Sequence, residues 1–113
     1  MSRAARHPPP IRAIRLVVDR RVPTCVVRGE YSIATLDEWL LTGEGDVRGL
    51  SKTKIGVIAD LIYRTGKVPG SFTVGTHQGK RYLLDGRHRR EAARRSGRET
   101  VQAVINWVVC ELG

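Results

Sequence analysis

Apolar and polar positions alternate over residues 11–19: Ile14, Leu16 and Val18 fall on one face, with Arg12 and Arg15 interleaved. That period of two predicts a strand. Pro23 interrupts it, and Cys25 to Val27 reads as a second short strand. The spacing then changes and predicts a short helix from Leu36 to Leu41. Thr35 can cap it, Glu38 completes a capping box, and Gly43 offers a left-handed stop. Residues 43–49 read as a loop carrying Glu44 and Asp46. A stronger helix is predicted from Lys52 to Arg64, capped by Ser51 or Thr53, with Ile55, Ile58, Leu61 and Ile62 as its apolar stripe. Thr65-Gly66 ends it.

Val68-Pro69-Gly70 reads as a turn. Phe72 to Val74 and Arg81 to Leu84 are strand-like, joined by a hairpin at His77-Gln78-Gly79-Lys80. After Asp85-Gly86 a helix is predicted from His88 to Ser96, stopped by Gly97. Val101 to Val109 is a β-rich run, partly apolar on both faces, and predicts a buried strand. Pro8-Pro9-Pro10 fits neither a helix interior nor a central strand. Residues 1–10 are therefore expected to be a flexible, basic, proline-rich arm, and residues 11–113 one domain. The interspersed elements predict an α+β fold: a compact single domain with a mixed sheet and short helices.

The chain has 113 residues, 41% of them hydrophobic, which allows one modest core. It holds no apolar run near the roughly 20 residues that span a bilayer. No signal peptide is visible, so a cytoplasmic location without membrane contact is expected. The formal net charge of +9 favours polyanionic partners. Arginine outnumbers lysine, however, as a GC-rich coding sequence also produces. Cys25 and Cys110 are too few for a disulfide framework and sit in Val-rich runs, which reads as small buried residues. His7, His77 and His88 are far apart and lack ligand-spaced partners, so no metal site is expected.

The chemistry concentrates in Tyr82-Leu83-Leu84-Asp85-Gly86-Arg87-His88-Arg89-Arg90-Glu91-Ala92-Ala93. A strand-like run ends in Asp-Gly and a helix starts with four basic residues. Cations at a helix N-terminus cost ~0.3–1 kcal/mol each. Such a local conflict is characteristic of a functional site. A bound anion would relieve it, because the first N–H groups of a helix lack internal partners. Gly86, Arg87, His88, Arg89 and Arg90 are thus the candidate phosphate-binding residues. His88 reads equally as a satisfied core histidine. Asp85 can cap the helix, orient Arg89 or meet a metal–nucleotide complex, and is the weak catalytic candidate. Arg90, Arg94 and Arg95 are candidate DNA contacts, with a solvated face as the alternative for Arg94, Arg95 and Arg98. The Walker pattern and the serine-hydrolase elbow are both absent.

The tract from Lys80 to Gly97, with Val101 to Ile105 behind it, resembles the ParB/sulfiredoxin superfamily. Members share a strand, a Gly-centred turn rich in His and Arg, an Ala-containing helix, a Gly stop and a final strand. The resemblance is specific in Asp85 to Gly97 and architectural from Ile11 to Val109. It implies that Gly86, His88 and Arg89 bind nucleotide phosphates and that Lys54 touches the nucleotide. Arg87 stands where sulfiredoxins place their catalytic cysteine and where partition proteins place a glutamate. The downstream Glu-Asn-x-x-Arg motif of the latter is missing too. The resemblance therefore implies neither sulfinic-acid reduction nor a partition-type CTP cycle. The Asp-Gly-x-His-Arg form is closer to small or phage-type members and to the serine kinases, for which Glu30, Asp37 and Glu38 are positional guesses at a base.

Together these readings predict a ParB-like nucleotide-phosphate-binding domain acting with DNA, its ligand a nucleoside triphosphate with Mg. The alternatives are a non-catalytic DNA-binding regulator, a metal-dependent nuclease or NTPase, and a module that binds a protein partner. A homodimer is compatible with all of them.

Overall fold

The structure is a computed structural model that describes residues 15–41 and 50–113. The expected arm at 1–10, Arg12 and Ile14 of the first strand, and the Gly43–Gly49 loop lie outside the described residues. Within them the order is β1 (Leu16–Val18), β2 (Cys25–Ser32), α1 (Ile33–Glu38), β3 (Leu40–Leu41), α2 (Lys52–Thr65), β4 (Phe72–His77), β5 (Lys80–Asp85), α3 (Arg87–Arg95) and β6 (Thr100–Leu112).

β6 is the spine of a mixed sheet. β4 runs parallel to it, from Phe72 opposite Ile105 to Thr76 opposite Val109. On its other side β2 and then β1 pair antiparallel, β2 with Thr100–Trp107 and β1 with Cys110–Leu112. β5 returns antiparallel beside β4, and β3 adds a parallel edge to β5. The β4–β5 turn falls on Gln78 and Gly79, both at positive φ (50° and 75°), as a tight two-residue hairpin requires.

Period-two alternation in β6 buries Val101, Ala103 and Ile105 against the helices. Phe72 and Val74 of β4 and Leu83 of β5 join that face, and Leu36, Ile55 and Ile62 cover it from α1 and α2. Each such side chain contributes about 1.5–3 kcal/mol on burial. The Trp39 ring meets Phe72 edge-on at 5.4 Å and Trp107 at 6.3 Å. α3 contributes only Ala92 and Ala93 to the core, so it lies close against its neighbours. No helix of the described residues is long and apolar enough to cross a membrane.

Several expectations need correction. The first helix starts three residues early, at Ile33, because Ser32 Oγ accepts the Thr35 N–H at 3.1 Å and takes the capping role assigned to Thr35. Leu40 and Leu41 are then free to pair with Tyr82 and Leu83 as strand. β2 extends to Ser32, since β6 is long enough to pair with it throughout. The rear of β6 is open at Gln102 rather than buried. Cys25 is exposed near the start of β2, whereas Cys110 is buried and its thiol pKa is raised by that burial. The α2 helix, its Ser51 cap (Ser51 Oγ accepts the Lys54 N–H at 3.2 Å) and its Gly66 stop at φ 73° agree with the sequence reading.

Candidate functional site

β5 delivers the chain to Gly86, which has φ 113° and opens α3. A side chain there is excluded twice. The left-handed region disfavours any residue with a Cβ. A Cβ would also stand 2.5 Å from Phe72 Cδ1, a fixed core ring. With glycine in place, α3 begins without a side-chain cap and without an acidic residue in its first turn. Its internal ladder starts with Arg90 N–H to Gly86 O at 2.9 Å, so the amides of His88 and Arg89 precede the first helical bond.

α2 approaches this turn with its own N-terminus. The Ser51 N–H donates to His88 Nε2 at 3.1 Å, which pins the two helix starts together. As acceptor, Nε2 carries no proton, so Nδ1 carries it. His88 therefore holds the site's frame: it is a partnered, half-buried histidine in the turn that opens α3. Between the helix starts lies a cleft of about 410 Å³ lined by Leu50, Lys54, Ile58, Leu84 and the run Asp85 to Arg89. Lys54, Asp85, Gly86, Arg87, His88 and Arg89, separated by up to 35 positions in sequence, thus share one wall set.

Arg89 is held by the turn that precedes β4. Its Nη1 donates to Ser71 O at 3.3 Å, and its guanidinium lies against Gly70, where a Cβ would come within 2.9 Å of Nε and Nη2. Gly70 has φ 73°, so the Val68-Pro69-Gly70 turn supplies the bare backbone on which Arg89 rests. Neither Gly70 nor Ser71 was visible as a site residue in the sequence, nor were the apolar walls Leu50, Ile58 and Leu84. Ile58 carried a usable signal, because it sits one turn beyond Lys54 on the same helix face.

The remaining arginines are placed elsewhere. Arg90 Nη1 donates to Trp39 O at 2.7 Å and Leu36 O at 3.3 Å, covering carbonyls at the end of α1. Burial pulls this guanidinium below its ordinary value, while Asp37 and Glu91 act in the opposite direction. Arg94 and Arg95 converge on Glu91 Oε1 at 2.7 and 2.9 Å. Arg98 donates from Nε and Nη2 to Tyr63 O, near the end of α2. Asp85 lines the cleft but neither caps α3 nor bonds Arg89. Glu30, Asp37 and Glu38 do not line it, so none stands where a kinase base would be needed. Among the described residues no three of His, Cys, Asp and Glu converge.

No protein-family model matches the chain, and no curated protein matches it in sequence. Solved structures do. Sulfiredoxin from Arabidopsis thaliana superposes with a TM-score of 0.56 at 22% identity, covering 74% of this chain and 88% of that one. The C-terminally truncated chromosome-partitioning protein ParB from Caulobacter crescentus, complexed with CTP-γ-S, superposes with a TM-score of 0.52 at 21% identity. That match covers 77% of this chain but 46% of the ParB chain, so this chain spans under half of it. The chain has the ParB/sulfiredoxin-like α+β fold.

Proposed function

We propose that the chain binds the phosphates of a nucleotide, a nucleoside triphosphate with Mg foremost, in the cleft between the starts of α2 and α3. The observation that carries this reading is the convergence of Lys54, Arg87 and Arg89 on an uncapped helix N-terminus in one cleft. The amides of the first turn and the helix dipole favour an anion there. Leu50, Ile58 and Leu84 add an apolar wall suited to the flat face of a base or a sugar edge. The ParB neighbour was solved with CTP-γ-S, which makes nucleoside triphosphates the first class to test.

Among the described residues Asp85 is the carboxylate that lines this cleft. A single carboxylate suits Mg that arrives coordinated by the phosphates themselves, not a metal held by the protein alone. A cytoplasmic setting, where such ligands are abundant, goes with this reading. DNA is the second reading, favoured by the net charge of +9. It is weaker in detail, because Arg90 is committed to α1 carbonyls and Arg94 and Arg95 share Glu91.

Calorimetric titration with the four NTPs and the NDPs, with and without magnesium, tests the proposal. Binding below millimolar concentration is expected. Arg89→Ala should weaken it by about one to two orders of magnitude, since hydrogen bonds to charged groups contribute roughly 1.5–3 kcal/mol. Absence of binding by any of these ligands would reject the nucleotide reading.

A further inference from the structure

Among the described residues β2 is the outermost strand on its side of the sheet. It pairs with β6 and, among the described residues, with no other strand. Its eight residues keep one unbroken register. Cys25, Val26, Val27, Arg28 and Glu30 are exposed, with Val26 at 66%. Edge strands are usually protected by a bulge, a proline, a lysine or a covering element, because their unpaired N–H and C=O groups template another strand. The run Cys-Val-Val-Arg-Gly-Glu-Tyr-Ser contains neither proline nor lysine.

The backbone shows which groups are on offer. Ile33 N–H donates to Glu99 O at 2.9 Å, continuing the register that pairs Ser32 with Thr100. Hydrogen bonding alternates along an antiparallel ladder. The odd-numbered residues of β2 therefore bond β6, and Val26, Arg28, Glu30 and Ser32 turn their amides and carbonyls outward. A second β2 can pair antiparallel only by matching these outward residues with one another.

Charge then selects the register. A two-fold axis at Arg28 or at Glu30 sets like charges directly opposite, which is destabilising. An axis at Val27 leaves Arg28 opposite the partner's Val26. An axis at Gly29 sets Arg28 opposite the partner's Glu30, and Glu30 opposite the partner's Arg28. The same register places Val27 against the partner's Tyr31 on the other face. At the axis itself two glycines meet, at the close spacing of about 4.5 Å between Cα atoms that a non-hydrogen-bonded pair adopts. Arg28 makes no hydrogen bond or ion pair within the described residues, and Glu30 meets only Gln102 Nε2, at a long 3.4 Å. Both side chains are available for these contacts.

We propose that β2 is a self-complementary dimer edge, and that two copies of this chain join β2 to β2 around Gly29 into one continuous sheet. The interface is isologous, as two-fold symmetry requires. It shares nothing with the cleft or its ligand.

Sedimentation equilibrium from micromolar to near-millimolar concentration tests it, with circular dichroism confirming that each variant is folded. The wild type should be a monomer–dimer mixture. Arg28→Glu alone should raise the dimer dissociation constant by about tenfold or more, since two attractive cross-strand pairs become repulsive. The charge-swapped double variant R28E/E30R should return it to within about threefold of wild type. Three results would each overturn the proposal: a monomer throughout the range, a dimer indifferent to Arg28→Glu, or a double variant no tighter than the single one.

Discussion

Gly86 stands both against the core and at the start of the proposed ligand cleft. Its φ of 113° and the Phe72 ring, 2.5 Å from where a Cβ would stand, are independent constraints. Gly86→Ala should therefore destabilise the fold by at least about 1–3 kcal/mol, the usual cost of a non-glycine residue held in a sparsely populated region. Urea denaturation would read this as a lower midpoint at unchanged slope. Unaltered stability with lost nucleotide binding would mean that glycine serves only the close approach of a ligand. Arg89 differs in kind. Its contacts are one long hydrogen bond to Ser71 O and the bare Gly70 backbone, so its loss should leave stability nearly unchanged. The Asp85–Arg89 turn was legible in sequence because a cluster of cations at a helix start contradicts ordinary helix design. The Arg89 support was not, because nothing local ties Gly70 to a residue 19 positions later.

Among the elements, α3 shows how a helix with so many cations stays folded. Glu91 is buried, and burial alone would raise its pKa, but hydrogen bonds from Arg94 and Arg95 outweigh that and hold it below the usual value. A carboxylate with a depressed folded pKa adds stability that is present above its unfolded pKa, near 4.3, and is lost as pH falls through the folded value. The protein should thus lose stability in acid, beginning near pH 4. Glu91→Gln should remove that part of the pH dependence and lower stability at neutral pH. Denaturation midpoints for both proteins between neutral pH and pH 3 would check this; parallel profiles would deny Glu91 the role. Helices with strong local signals, such as α2 with Ser51 and Gly66, were readable in sequence. α1 was readable as a helix but placed three residues late, because Ser32 and Thr35 can both cap and tertiary pairing of Leu40 and Leu41 with β5 decides between them. β2 was underestimated for the same reason: its length is set by β6, far away in the chain.

On the scale of the whole molecule, charge and site make different demands. The net charge of +9 attracts any polyanion from a distance, but Arg90, Arg94, Arg95 and Arg98 on and just after α3 already serve carbonyls or Glu91. Ion-paired and carbonyl-bound guanidinium groups remain cations, so they still release counterions when DNA approaches. They are poorly free, however, to form new directed bonds. DNA affinity of this protein should accordingly be non-specific in sequence and fall steeply with salt, in proportion to the number of phosphates neutralised. Nucleotide affinity should depend chiefly on the cleft. Arg89→Ala then separates the two: it should weaken NTP binding while leaving the DNA salt slope changed by no more than about one unit. Fluorescence anisotropy on a duplex at several salt concentrations, run beside the calorimetry, would measure both. Loss of DNA binding together with NTP binding in Arg89→Ala would instead make the cleft a contact point for the DNA backbone, and the two readings of the phosphate turn would become one.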